Sequence, residues 1–213
     1  MHISRTCFGA DKEYCQMLVD AGYTAVDIND TSHKPEIFLQ SEDEQFSFLK
    51  NVVDNIKNSG LVIGQCHAPH SLTLWCSTDE EIEQRTVAIE NCVKTVSKFE
   101  IPYTIIHPFV YAFNKEAEDK EKLWQFNVDT IRRICKSATG TTVCLENMFA
   151  VRRGKMYASI CSNMDETCKY IDTLNGIAGE KCFGFCLDTG HLNLLRKSFR
   201  TYVPVLGDRI VAL

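Results

Sequence analysis

Four apolar runs in the chain end on side chains able to hold a metal ion: Val62-Ile63-Gly64-Gln65-Cys66-His67, Ile105-Ile106-His107, Val143-Cys144-Leu145-Glu146 and Phe185-Cys186-Leu187-Asp188. Each run is short and continuously apolar, the pattern of a strand buried on both faces of a parallel sheet. The carboxyl ends of parallel strands open onto one face, so His67, His107, Glu146 and Asp188 are expected to meet in one volume. His191 follows Asp188 by three residues, about one helical turn, and can reach the same place. Imidazoles and carboxylates together make a mixed nitrogen and oxygen set suited to Zn²⁺, Mn²⁺ or a similar divalent ion. Singly, each residue has an ordinary structural explanation, since a strand-end His packs and hydrogen-bonds and Glu146 can cap a turn. Together they point to a site, because Asp and Glu are costly at buried strand ends unless paired or metal-bound.

The elements that must position these groups alternate along the chain. Strands are expected at His2–Ser4, Thr24–Ile28, Leu61–Cys66, Tyr103–Ile106, Thr142–Leu145, Phe183–Leu187 and Arg209–Leu213. A first helix runs from Asp11 to Ala21 and ends at Gly22. Phe46, Leu49, Val53 and Ile56 mark another, which stops at Gly60. A third starts at a capping box, Ser77-Thr78-Asp79-Glu80, and buries Ile82, Ile89, Val93 and Val96. Leu123, Phe126, Thr130 and Ile134 mark the next, and Met164, Cys168, Ile171 and Leu174 the one after. The strand ends fall near residues 4, 28, 66, 106, 145, 187 and 213, in steps of 24, 38, 40, 39, 42 and 26. Units of this size suit a (β/α)₈ TIM barrel, which needs about 31 residues per unit before insertions. The alternative is a doubly wound open sheet, but the turn Cys7-Phe8-Gly9-Ala10 after the first strand lacks the Gly-rich pattern of a dinucleotide site. Seven strands and six helices are expected, so the barrel reads as incomplete at its carboxyl end. No composition break marks a linker, and residues 1–213 read as one domain.

Composition bounds the function. Of 213 residues, 45% are hydrophobic and 24% charged, which supports a packed core and excludes a disordered chain. With 23 Lys and Arg against 28 Asp and Glu, the net charge of −5 gives no general attraction for phosphate backbones, and nucleic acid is a disfavoured partner. Neither a signal peptide nor a run of apolar residues long enough to span a membrane is indicated. The 11 cysteines are irregularly spaced without a Cys-x-x-Cys, and read as reduced, buried thiols of a cytoplasmic protein.

Two loops on the expected active face bear on specificity. Asn147 to Asn163 carries Arg152, Arg153 and Lys155, which either fork onto a substrate phosphate or carboxylate or belong to a solvated loop. Trp75, Phe109, Tyr111 and Phe113 lie just beyond His67 and His107, where they either pack on the apolar face of a sugar or close the barrel mouth over the core.

The pieces His67-Ala68-Pro69-His70, His107-Pro108, Leu145-Glu146-Asn147 and Leu187-Asp188-Thr189-Gly190-His191 cover most of the chain, and the last two are the specific ones. In these the chain resembles the xylose isomerase-like TIM barrels, sugar and sugar-phosphate isomerases and epimerases whose superfamily includes endonuclease IV. The resemblance implies that Glu146 and Asp188 are metal ligands on the fifth and sixth strands, and that His191 binds substrate or a further metal. It implies a divalent cofactor (Mn, Mg, Co or Zn) and proton transfer next to the carbonyl of a small sugar or sugar phosphate. Glu146 is the candidate acid/base, Asp188 serves the metal alone, and His67 and His107 are the other candidate metal ligands. In the isomerase branch two more ligands come from a His ending strand seven and a Glu ending strand eight. This sequence stops at Arg209-Ile210-Val211-Ala212-Leu213, just before that His. The expectation is therefore a barrel with half its ligand set outside these residues, weak metal affinity, and self-association through the open edge. The competing functions are phosphodiester cleavage at a polynuclear zinc site, as in endonuclease IV, and a non-catalytic remnant of the fold.

Overall fold

In the computed structural model, which describes residues 4–70, 73–74, 77–110, 120–136 and 138–213, the expected apolar runs pair side by side. Seven parallel strands form one sheet in the order β1 (Ser4–Cys7), β2 (Ala25–Ile28), β3 (Val62–His67), β4 (Tyr103–Ile106), β5 (Thr142–Glu146), β8 (Phe183–Cys186) and β9 (Ile210–Ala212). Between β5 and β8 in sequence, β6 (Phe149–Arg152) and β7 (Lys155–Ala158) make a separate antiparallel hairpin. The helices are α1 (Lys12–Asp20), α2 (Glu42–Asn58), α3 (Asp79–Ser97), α4 (Lys120–Cys135), α5 (Met164–Ala178), α6 (Thr189–Leu194) and α7 (Phe199–Leu206). This is the curled parallel sheet with helices against it that the strand spacing predicts.

Three local readings are corrected. The first strand lies at Ser4–Cys7 rather than His2–Ser4, whose first two residues are outside the described set. Its register, from Ser4 opposite Ala25 to Cys7 opposite Ile28, recruits Arg5 and Thr6, which a search for apolar runs passes over. The capping box of α3 is Thr78 with Glu81, one residue later than expected. Ser77 is occupied elsewhere, its hydroxyl donating to the Thr73 carbonyl at 3.1 Å. The loop after Glu146 holds the β6–β7 hairpin, with Arg153 and Gly154 at its tip in left-handed conformations (φ 48° and 73°).

Successive strand residues point to opposite sides of the sheet, and here the two sides are unequal. Val26, Cys66, Ile106, Val143, Leu145, Phe185 and Leu187 join the large core under the helices. Ile105, Cys144, Cys186 and Ala212 form a small cluster of their own on the other side. Two of those four are thiols, compact apolar groups that fit the narrow inner side. No disulfide forms among the nine described cysteines, and seven of them are buried. Burial pushes the Cys7 thiol up to about 12 and raises those of Cys144 and Cys186.

One buried amide fastens the segment after β4. Asn127 of α4 is fully buried; its Oδ1 accepts from Phe109 N at 2.8 Å, and its Nδ2 donates to Phe109 O at 2.9 Å and Leu123 O at 3.1 Å. Asn127→Ala strands both backbone groups of Phe109, at ~1–3 kcal/mol each. The expected result is a loss of about 2–6 kcal/mol, read as a lower urea midpoint with an unchanged slope.

Candidate metal centre

The same alternation carries the chemistry to one place. Cys66, Ile106, Leu145 and Leu187 face the helices, so the next residue in each case, His67, His107, Glu146 and Asp188, faces inward at the carboxyl end of its strand. Asp27 lies between Val26 and Ile28, both in the helix-side core, and faces inward by the same rule.

Glu146 is the centre, with only 2% of its surface exposed. Its Oε2 lies 2.7 Å from His107 Nε2 and 3.6 Å from His67 Nε2, and its Oε1 lies 3.3 Å from His191 Nδ1. Asp188 caps α6, its Oδ1 accepting from the His191 backbone N–H at 2.7 Å, and its Oδ2 lies 3.8 Å from His191 Nε2. Asn147 ties the two strand ends together: its Nδ2 donates to Asp188 O at 2.9 Å and its Oδ1 accepts from Asp188 N at 2.8 Å.

Among the described residues two donor groups result, His67 with His107 and Glu146, and Glu146 with Asp188 and His191. Within each, one ligand atom per residue lies within 4.8 Å of the others. Second partners orient two of the rings. His67 Nδ1 is 3.1 Å from the Asp27 carboxylate and His191 Nδ1 is 2.7 Å from the Asn147 carbonyl. Both partners are acceptors, so each Nδ1–H is directed at them, while Nε2 faces Glu146 in His67 and Asp188 in His191.

The side chains of the site balance one another's charge. Burial works against ionised Glu146, but His107 and His67 overcome it and hold the carboxyl well below the usual range. Burial likewise opposes a charged His67, yet Asp27 and Glu146 raise it to about 10. Burial raises the Asp188 carboxyl. The buried Glu146 Oε2 has no partner with hydrogen-bond angles among the described residues, although two imidazole nitrogens converge on it. An oxygen with two aimed nitrogens and no aligned donor fits a divalent ion, and these groups could hold one.

Asp27 was not legible as a site residue, because one carboxylate in Ala25-Val26-Asp27-Ile28 looks like a strand-end irregularity. A carboxylate behind a ligating His typically contributes 10–100-fold to metal affinity. Asp27→Ala is expected to weaken Zn²⁺ or Co²⁺ binding by about that factor in a chelator-competition titration, and Asp27→Asn by less, since its amide oxygen can still accept from Nδ1.

Two further imidazoles adjoin the centre. His70 stacks on His107, with ring centroids 4.3 Å apart and planes 12° apart, and His33 meets His70 edge-on at 4.7 Å. Burial and then His107, His33 and His67 lower His70 to about 4. A cavity of about 470 Å³ opens over the site, lined by His67, His70, His107, Glu146, Asp188 and His191 among others. Arg152 and Arg153 are exposed near and at the hairpin tip and are not among its lining residues. Phe109 is buried in the core, which settles its alternative. Trp75, Tyr111 and Phe113 lie outside the described residues. Sequence reasoning passed over Phe149, which meets the His191 ring edge-on at 4.7 Å.

This fold and this face define a class. The chain belongs to the xylose isomerase-like TIM barrel family, whose model matches residues 15–213. Among solved structures it is similar to D-psicose 3-epimerase from Clostridium cellulolyticum, at 18% identity over 99% of this chain and 71% of that one, with a TM-score of 0.69. It is similar to 3-keto-D-glucoside 4-epimerase from E. coli, at 14% identity over 99% and 76%, TM-score 0.71. Endonuclease IV from Thermus thermophilus also matches, at 14% identity over 99% and 74%, TM-score 0.61. No curated protein matches in sequence. At these identities the structures establish the fold. Among the described residues no helix is long and apolar enough to cross a membrane.

Proposed function

We propose that the chain is a metal-dependent isomerase or epimerase, within one domain, acting on a small neutral sugar by proton transfer next to a carbonyl. The carrying observation is the lining of the cavity: carboxylates, imidazoles, amides and hydroxyls, with no Lys or Arg among the described lining residues. Such a lining suits a polyhydroxylated neutral ligand, whereas phosphate recognition depends on cationic groups. A sugar phosphate would have to engage Arg152 and Arg153 of the hairpin instead.

In this reading His67, His107, Glu146 and Asp188 would hold the ion, and a Lewis acid held there would make a C–H next to the substrate carbonyl more acidic. Glu146 divides its oxygens, with Oε2 toward His67 and His107 and Oε1 toward His191. Oε1 would take that proton and, for an isomerisation, return it to the adjacent carbon, whereas an epimerisation would need a second acid on the opposite face. The neighbouring imidazoles keep Glu146 ionised and therefore ready, but weakly basic, so the acidity of the C–H carries most of the step. His191 is fixed by the Asn147 carbonyl and by Asp188, and presents its ring to the substrate oxygens.

A second reading has one observation in its favour. The two donor groups share Glu146, and a shared carboxylate can bridge two ions, as in phosphodiester-cleaving centres. The deciding experiment pairs metal stoichiometry with solvent-deuterium exchange over a panel of aldoses and ketoses. One ion per chain and deuterium at the carbon next to the carbonyl are expected. Two or three zincs, no exchange and nicking of abasic DNA would replace this reading with hydrolysis, and absence of any bound ion would leave a non-catalytic remnant.

A further inference from the structure

His33, His70 and His107 form a continuous series of imidazoles from the surface to Glu146. His33 is exposed, His70 is half-buried, and His107 touches the carboxylate. Their spacing is short throughout: 4.7 Å from His33 to His70, 4.3 Å from His70 to His107, and 5.8 Å from His107 to His67 between ring centroids. Neither His33 nor His70 belongs to the two groups that could hold an ion at rest. The proposed function uses neither ring.

We propose that His33 and His70 are a loading path, along which a divalent cation passes by successive ligand exchange into the buried His67, His107 and Glu146 site. This rests on the metal-centre reading above. The difficulty the path answers is dehydration. An aqueous ion arrives with its shell of waters, while Glu146 is 2% exposed and buried between rings. Losing several waters at once without replacement carries a high barrier, whereas exchanging one water at a time for an imidazole nitrogen divides it into smaller steps. Imidazole is the group shared by both ends of the route, so each step replaces like with like. A path alters the barrier and not the end states. Entry and exit therefore slow by the same factor when it is cut, and the equilibrium affinity stays where it was. A residue that merely supports His107 does the opposite, changing affinity.

The test uses the whole chain and Co²⁺ alone, following its visible absorbance by stopped flow on entry and chelator-driven loss on exit. His33→Ala removes the exposed nitrogen and touches no ligand. His70→Phe keeps an aromatic ring to stack on His107 but has no nitrogen to offer. Each is expected to slow both entry and exit by about tenfold, or roughly 1.4 kcal/mol of barrier height, with Kd within a factor of two or so. Unchanged rates in both variants, or a raised Kd with an unchanged entry rate, overturn the path while leaving the metal centre standing. A wild-type chain that takes up no Co²⁺ overturns both.

Discussion

Glu146→Gln is expected to remove metal binding, with affinity falling by more than ~100-fold, beyond what loss of an outer-shell partner costs. Glu146 is the one residue common to both donor groups, and the substitution exchanges an ionised oxygen for a neutral amide at the point where His67 and His107 converge. The ion would then lose its charge partner on both sides at once, while the shape of the side chain is kept. The same change removes the proposed proton acceptor, so deuterium exchange into a sugar should vanish even at saturating metal. Calorimetric titration with Zn²⁺ or Mn²⁺ beside the wild type gives the measurement, with circular dichroism as the check on folding. Near-native affinity in the variant would mean that the ion is held elsewhere.

Asn147→Ala is expected to cost about 1–3 kcal/mol of stability and to weaken the metal centre together with it. Strand pairing between β5 and β8 ends at Glu146 opposite Cys186. Beyond it, the Asn147 side chain takes over the role of a strand, accepting from Asp188 N and donating to Asp188 O. Its removal strands the part-buried Asp188 N–H, at ~1–3 kcal/mol, while Asp188 O keeps the Leu192 N–H at 3.2 Å. It also frees Asp188, a proposed metal ligand whose cap on the His191 N–H orients the ring proposed to meet the substrate. Asn147→Asp discriminates: its carboxylate can accept from Asp188 N but offers no donor to Asp188 O, so the loss should be smaller in denaturant melts. Equal stability of Asn147→Ala and wild type would show the clamp to be idle.

The strands that carry the site were legible because they are buried on both sides. Val143-Cys144-Leu145 and Phe185-Cys186-Leu187 are apolar at every position, and such a run has few other uses in a soluble chain. Convergence of His67, His107, Glu146 and Asp188 followed from strand direction alone. Edge strand β1 was misplaced by a few residues because its first three residues are exposed and its pairing, not its polarity, defines it. The β6–β7 hairpin left no clear alternation, since Phe149 and Ala150 are half-buried while Val151 and Met156 are exposed. Asp27 and His70 were missed for a different reason. Their importance lies in which ring each one touches across strands far apart in sequence, and spacing along a chain does not encode that.

The seven buried thiols among the described residues bear on how this protein fails. A thiol reacts with oxidants and alkylating agents as its thiolate; here burial screens the sulfurs, and at Cys7 it also holds the proton, pushed up to about 12. While the chain is folded these groups are chemically silent. On opening they are exposed together along the chain, ready for cross-linking within and between molecules. Oxidative damage in this protein is then a clock for unfolding: each excursion exposes the same set of sulfurs, and the rate at which they disappear measures how often the sheet comes apart.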